Sequence, residues 1–283
     1  MHWNLEQILW AIALAGHLVL LIVLLGRDRA SRYPFFTTAI ILGALRLLAD
    51  HLLEGKLTTL AFYWQDFSGV VLDSIFRIFV LVEIARRIFS SGKGGLILKP
   101  RGWAGWSILT TALALIAIYF WGPWPAWQAL RAQPEQFRLL LLVLTATKGQ
   151  IFASILTIEV VVLILIFGKR FGFPWRTHPR QIALGLMVLA TSVLSAQGIT
   201  EYLKIAFNLR DRVQYERATQ ILTQTDNARQ IVGILVLLWW IIWLWREEPT
   251  PQSGNDDEAF ELVPALDGPP LNSLSAEATP EEE

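Results

Sequence analysis

The chain has 283 residues, 54% of them hydrophobic and 17% charged, whereas a soluble protein is about 45–50% apolar and about 25% charged. It contains no cysteine, which excludes disulfides, thiolate catalysis, iron–sulfur clusters and cysteine-based zinc sites. The 24 Lys and Arg match the 24 Asp and Glu overall, yet residues 1–248 hold all 24 bases and 15 of the acids, a surplus of nine positive charges; the other nine acids lie in the tail.

The apolar residues gather in runs long enough to cross a bilayer. They predict an all-α integral membrane protein, a bundle of seven transmembrane helices over 5–25, 34–53, 65–88, 103–121, 139–168, 182–204 and 228–245. Most of the thirteen Trp residues fall near the ends of these runs, where an apolar ring with one N–H donor suits the interface; Trp10, Trp239 and Trp240 fall deeper. The first span is broken only by Gly16 and His17, and Pro34 suits the first turn of the second. The third carries Asp73, Arg77 and Glu83, which lipid tolerates only when they face partners, so this helix is expected at the centre of the bundle. The fourth is short and uncharged and is expected to face lipid. The fifth, about 30 residues, exceeds the roughly 20 that a crossing needs. The sixth offers Thr191, Ser192, Ser195, Gln197 and Gly198 for close packing. Asn208–Asp226 reads as a charged connection, with Asp226 as N-cap of the seventh span. Residues 249–283 form a second region, rich in Pro, Ser and acids and free of bases, predicted to be a disordered tail; Phe260–Val263 is its one candidate docking motif. The N-terminus lacks the basic stretch and cleavage site of a signal peptide.

Thirteen bases, from Arg27 to Arg246, flank one set of loops and six flank the other. The richer set belongs in the cytoplasm, which puts the N-terminus outside and the tail inside a cell membrane.

A helix rises about 1.5 Å per residue, so each charge has a depth. Arg46 and Asp73 each sit seven residues below the outer end of their spans and are expected to pair. Arg77 lies ten residues from Arg87 and Glu159 nine from Gly168, so these two also match, near the midplane. Lys148, Glu201 and Asp50 come to similar heights at the outer surface, with Gln197, Asn227 and Arg229 slightly below. Glu83 is within reach of Arg86 or Arg87. His17 reads as a packed, hydrogen-bonded residue, and His51 lies too near the surface to share a haem with it. Such pairs serve either as clasps that fix one register or as the lining of a polar pocket or ion path.

The last span has no lysine for a retinal Schiff base, and no catalytic motif, internal repeat or pair of broken helices is visible. No cofactor and no nucleic acid are implied; the partners expected are the lipid bilayer and a cytoplasmic signalling protein. The leading reading is a ligand-sensing module with an outward polar pocket, ahead of a small transporter or proton carrier and of a structural subunit of a membrane complex.

In this cysteine-free chain a single Cys at Ser91 should resist a membrane-impermeant thiol reagent in intact cells and react after lysis. Labelling from outside would reverse the orientation.

Overall fold

The computed structural model describes residues 5–53, 55–90, 100–121, 124, 134–170, 177–207 and 211–247. The chain divides into two units, and all of these residues belong to the first, Met1–Glu248. The tail predicted from residue 249 onward and the Gly/Lys-rich link at 91–99 lie outside the described residues.

Every described element is a helix: α1 (Leu5–Gly26), the single turn α2 (Arg29–Arg32), α3 (Pro34–Leu53), α4 (Thr59–Ser90), α5 (Pro100–Phe120), α6 (Pro134–Arg170), α7 (His178–Ala206) and α8 (Arg212–Trp245). An all-helical chain satisfies its backbone within each segment, as a hydrocarbon solvent demands. Five of these helices are long and apolar enough to cross a membrane: α1, α3, the Phe137–Ile166 part of α6, α7 and α8. α4 has the length, but Gln65, Asp66, Asp73, Arg77 and Glu83 interrupt its apolar run. Among the described side chains of α5 the apolar run is Ile108–Phe120. Large apolar side chains stand exposed around the bundle, among them Ile22 at 66%, Ile108 at 69% and Phe120 at 78%. Apolar exposure this extensive belongs to lipid contact, because water would drive these faces together.

The helices form a closed ring in the order α1–α3–α4–α6–α7–α8, each packed on the next and α8 back on α1. α5 lies outside it against α6. α4 also touches α7 across the ring, so it shares the inner position with its neighbours and is not a lone axis. Two faces can be named from the turns, the Leu5 face and the Pro34 face. Apart from Leu156 and Ala114 near the middle, the central buried cluster lies in the Pro34 half. It comprises Leu20, Val23 and Leu24 of α1, Tyr33 before α3, Phe36 and Ile40 of α3, and Val80, Leu81, Ile84 and Ile88 of α4. Val161 and Ile164 of α6, Ile182, Ala183 and Leu186 of α7, and Val236, Leu237, Trp240 and Leu244 of α8 complete it.

Four sets of contacts tie that half together. α3 opens on Pro34, and the N–H of Phe36, one of the donors a helix start leaves without a partner, donates to Glu83 Oε2 of α4 at 3.1 Å. Glu83 thus caps a neighbouring helix, with Arg87 near enough to act on it. Arg87 itself donates to the carbonyl of Arg32 and lies 4.8 Å over the Tyr33 ring. At the ends of α7 and α8, His178 Nε2 meets the carbonyl of Arg246 at 3.1 Å. Arg27 of α1 stacks 4.9 Å over Trp245.

α8 differs most from expectation. Its N-cap is Asp211, whose carboxylate accepts from the N–H of Val213 at 3.1 Å, so Asp226 is no cap but a mid-helix residue 3.7 Å from Arg229. Residues 212–227 continue the span as helix, since the stretch has no Pro or Gly to stop it. At about 1.5 Å per residue α8 is about 50 Å long, well beyond a hydrocarbon core of about 30 Å. Its first four turns are mostly exposed.

Glycines let three of these contacts close. A Cβ on Gly43 would stand 2.8 Å from His17 Nε2, one on Gly16 would stand 3.3 Å from Leu237, and one on Gly185 would stand 2.6 Å from Trp240 Cε2. Each glycine thus seats a large side chain of the facing helix, the usual means of close approach where lipid provides no hydrophobic drive. Gly185→Ala should therefore cost about 1–3 kcal/mol, because a packed indole must move. Gly149→Ala, with nothing within 4 Å, should be neutral or stabilising by up to about 1 kcal/mol. Melting temperatures in detergent check both.

Candidate functional site

One face of α4 organises the site. Asp66, Asp73, Arg77, Val80, Ile84 and Ile88 follow one another at intervals of seven, four, three, four and four, which keeps them on a single stripe. Gly69 and Glu83, on one flank, face α3, and Ser154 of α6 meets Arg77 from the other side. The stripe therefore points between α3 and α6, into the ring. Towards the Pro34 face it is apolar and closed, with Val80 at 1% and Ile84 at 0% exposure. Towards the Leu5 face it is charged and open: the Asp66 and Asp73 side chains are 40% and 48% exposed. Ser74, beside Asp73, is 5% exposed, and Leu72, Ile75 and Phe79 on the opposite side of the helix are 42%, 43% and 44% exposed. The stripe changes from charged to apolar between Arg77 and Val80.

Arg46 of α3 reaches the charged part of the stripe. Its guanidinium lies on Gly69, where a Cβ would stand 3.1 Å from Nε, and Nη2 donates to Asp66 at 2.7 Å. Nε is 3.8 Å from Asp50 one turn on, and Asp50 accepts from Gln65 Nε2 at 3.0 Å. Deeper, Arg77 pairs with Asp73 at 2.9 Å and donates to Ser154 Oγ at 3.5 Å. His17 Nδ1 of α1 meets the Ala13 carbonyl at 2.8 Å. Trp10 stacks on His51 at 4.1 Å and donates to the Leu47 carbonyl at 2.9 Å, closing the α1–α3 side.

The expected pairs are thus exchanged. Depth matches Arg46 to Asp73, but Arg46 binds Asp66 and Asp50, because a long side chain extends its charge toward the wetter end of the helix. Asp73 pairs instead with Arg77, one turn on in its own helix, the favoured order for an acid and a base at this spacing. Glu159 has no arginine: Arg77 turns to Ser154, and Oε2 of Glu159 is buried without a hydrogen-bond partner among the described residues.

Of the residues singled out in the sequence, Arg46, Asp50, Asp73 and Arg77 come together here. Lys148, Gln197, Glu201 and Arg229 do not join them. Lys148 donates to the carbonyl of Trp121 and lies 4.7 Å over the Trp124 ring. Gln197 donates to Gln150 at 3.4 Å, Glu201 pairs with Lys204 at 2.8 Å, and Arg229 is beside Asp226. Depth alone misses Asp66, Gln65 and Ser154 as partners. Gly69, one turn from both Asp66 and Asp73, is the available signal, since a glycine between two acids on an inward face leaves room for a guanidinium. Among the described residues no group of three or more His, Asp or Glu is placed to hold a metal ion.

Fold and site together define an all-α, multi-pass membrane protein. Comparison with known proteins finds no matching family model, no matching curated protein and no matching solved structure.

A double-mutant cycle checks the pairing. Arg46→Gln with Asp66→Asn should show coupling of about 0.5–1 kcal/mol, as expected for a half-exposed ion pair. Arg46→Gln with Asp73→Asn should be additive to within about 0.5 kcal/mol.

Proposed function

We propose that this protein is a seven-span ligand-sensing module of the cell membrane, with α4 and α5 as the two additional spans, the N-terminus outside, and the tail reporting to a cytoplasmic partner. The observation that carries the reading is the change along one α4 stripe from charged at Asp66, Asp73 and Arg77, with both acids half-exposed, to apolar and closed at Val80, Ile84 and Ile88. In this reading the charged part of the stripe lines a polar recess, which can admit a small polar ligand from one side while the opposite half stays sealed. Its paired carboxylates and guanidinium groups offer both acceptors and donors, as a site needs when it orients a ligand by hydrogen bonds. A carrier needs a second opening, and the packed Pro34 half favours a sensor over a transporter.

Cysteine accessibility tests the recess. In intact cells Asp66→Cys and Asp73→Cys should react with a membrane-impermeant thiol reagent, and Ile84→Cys should not react from either side. An unreactive Asp73→Cys beside a reactive Asp66→Cys would mean that the recess is closed above the midplane. Reaction of Ile84→Cys from both sides would replace the sensor with a channel or carrier.

A further inference from the structure

Glu159 stands apart from the recess. Lys148, Phe152, Ile155 and Glu159 repeat at intervals of four, three and four and share one stripe of α6. Lys148 fixes where that stripe points, because it binds the carbonyl of Trp121 and the ring of Trp124 just beyond the end of α5. α5 runs antiparallel to α6, so eleven residues down α6 from Lys148 corresponds to eleven residues back from Trp121. That position is Thr110, which is buried, as are Ala114 and Ile118 on the same side of α5. Glu159 therefore enters the α5–α6 seam near mid-depth. The other sides of α5 are exposed and apolar at Ile108, Leu113, Leu115 and Ile116, so the seam borders hydrocarbon.

The described bases and acids on the surrounding helices stand elsewhere. Asp73 and Arg77 of α4 pair with each other, Glu83 caps α3, and Glu201 and Lys204 of α7 pair near the Leu5 face. His178 and Arg180 stand at the Pro34 end of α7. The described side chains of α5 include only Tyr119 as an ionisable group. Lys148, on the same stripe, is about 16 Å away along the helix. A carboxylate anion in such a seam has neither a counter-ion nor water to replace its hydration, whereas a carboxylic acid needs far less.

From this placement we infer that Glu159 is a proton-binding site facing hydrocarbon, which carries its proton while α5 is seated on α6. The inference is independent of the sensing role, because Glu159 lies outside the recess. Hydrophobic and water-soluble carbodiimides distinguish such a carboxyl from a wet one. The carboxyl proton passes to a carbodiimide nitrogen as its oxygen adds to the central carbon, and the adduct rearranges to a stable N-acylurea.

The full chain in membrane vesicles is treated with dicyclohexylcarbodiimide and mapped by peptide mass. The expected result is modification at Glu159, its loss in Glu159→Gln, decreasing modification as the pH is raised, and no modification there by a water-soluble carbodiimide. Equal modification by the soluble reagent would place Glu159 in water and overturn the inference. So would an unmodified Glu159 after dicyclohexylcarbodiimide treatment at mildly acidic pH. The unsubstituted chain carries the main readout, so the test still decides the question if Glu159→Gln folds poorly.

Discussion

A charge carried into hydrocarbon must be turned inward and given a partner, and α4 carries three charges at that depth. This requirement sets the rotation of α4 in the ring. Asp73 and Arg77 share a face with Asp66, so one rotation turns them inward together. That rotation also brings Gly69 under the Arg46 guanidinium and Glu83 against the first turn of α3. The placement of α3, α4 and α6 follows from it: α3 brings the basic partner at one level and the free helix N-terminus at another, and α6 brings the Ser154 hydroxyl.

The two halves of the bundle solve packing differently. The Pro34 half is filled by Leu, Ile, Val and aromatic side chains, including the edge-to-face contact of Phe36 with Trp240 at 5.0 Å. Gly185 makes room for that indole. In the Leu5 half the inward α4 positions are acids and a base, which hold one another at set distances but leave space. Gly149, Gly198 and Gly233, on the same half of α6, α7 and α8, have nothing within 4 Å of where a Cβ would stand. Apolar filling near one face and spaced polar pairs near the other give the ring its polarity.

Length and depth are legible in the sequence because both follow from apolar run length and a fixed rise per residue. The long helices fall where the runs predict them, and the charges of α3 and α4 meet near the expected levels. Azimuth and side-chain reach are not legible. Glu159 and Arg77 share a depth, yet Arg77 turns to Asp73 and Ser154 and leaves Glu159 Oε2 without it. Arg46 shares a depth with Asp73 at the backbone, but its guanidinium ends nearer Asp66. Glu83 looks like half of an ion pair in the sequence, because the helix N-terminus it caps lies on another segment and leaves no mark beside it. The first turns of α8 look like a connection because polarity resembles a loop, whereas propensity and the Asp211 cap allow helix outside the bilayer.

α4 is bound to α3 at two levels by two different kinds of interaction. Near the Leu5 face the tie is a half-exposed ion pair, Arg46 to Asp66, worth about 1 kcal/mol at most in a wet setting. Near the Pro34 face it is the buried bond from Phe36 to Glu83, reinforced by Arg87 on the Arg32 carbonyl. A buried charge-assisted bond is stronger than an exposed pair, and losing it leaves both a helix donor and a carboxylate without partners. The Pro34 end of α4 is therefore held to α3 more firmly than the Leu5 end, where Asp66 and Asp73 stand half-exposed.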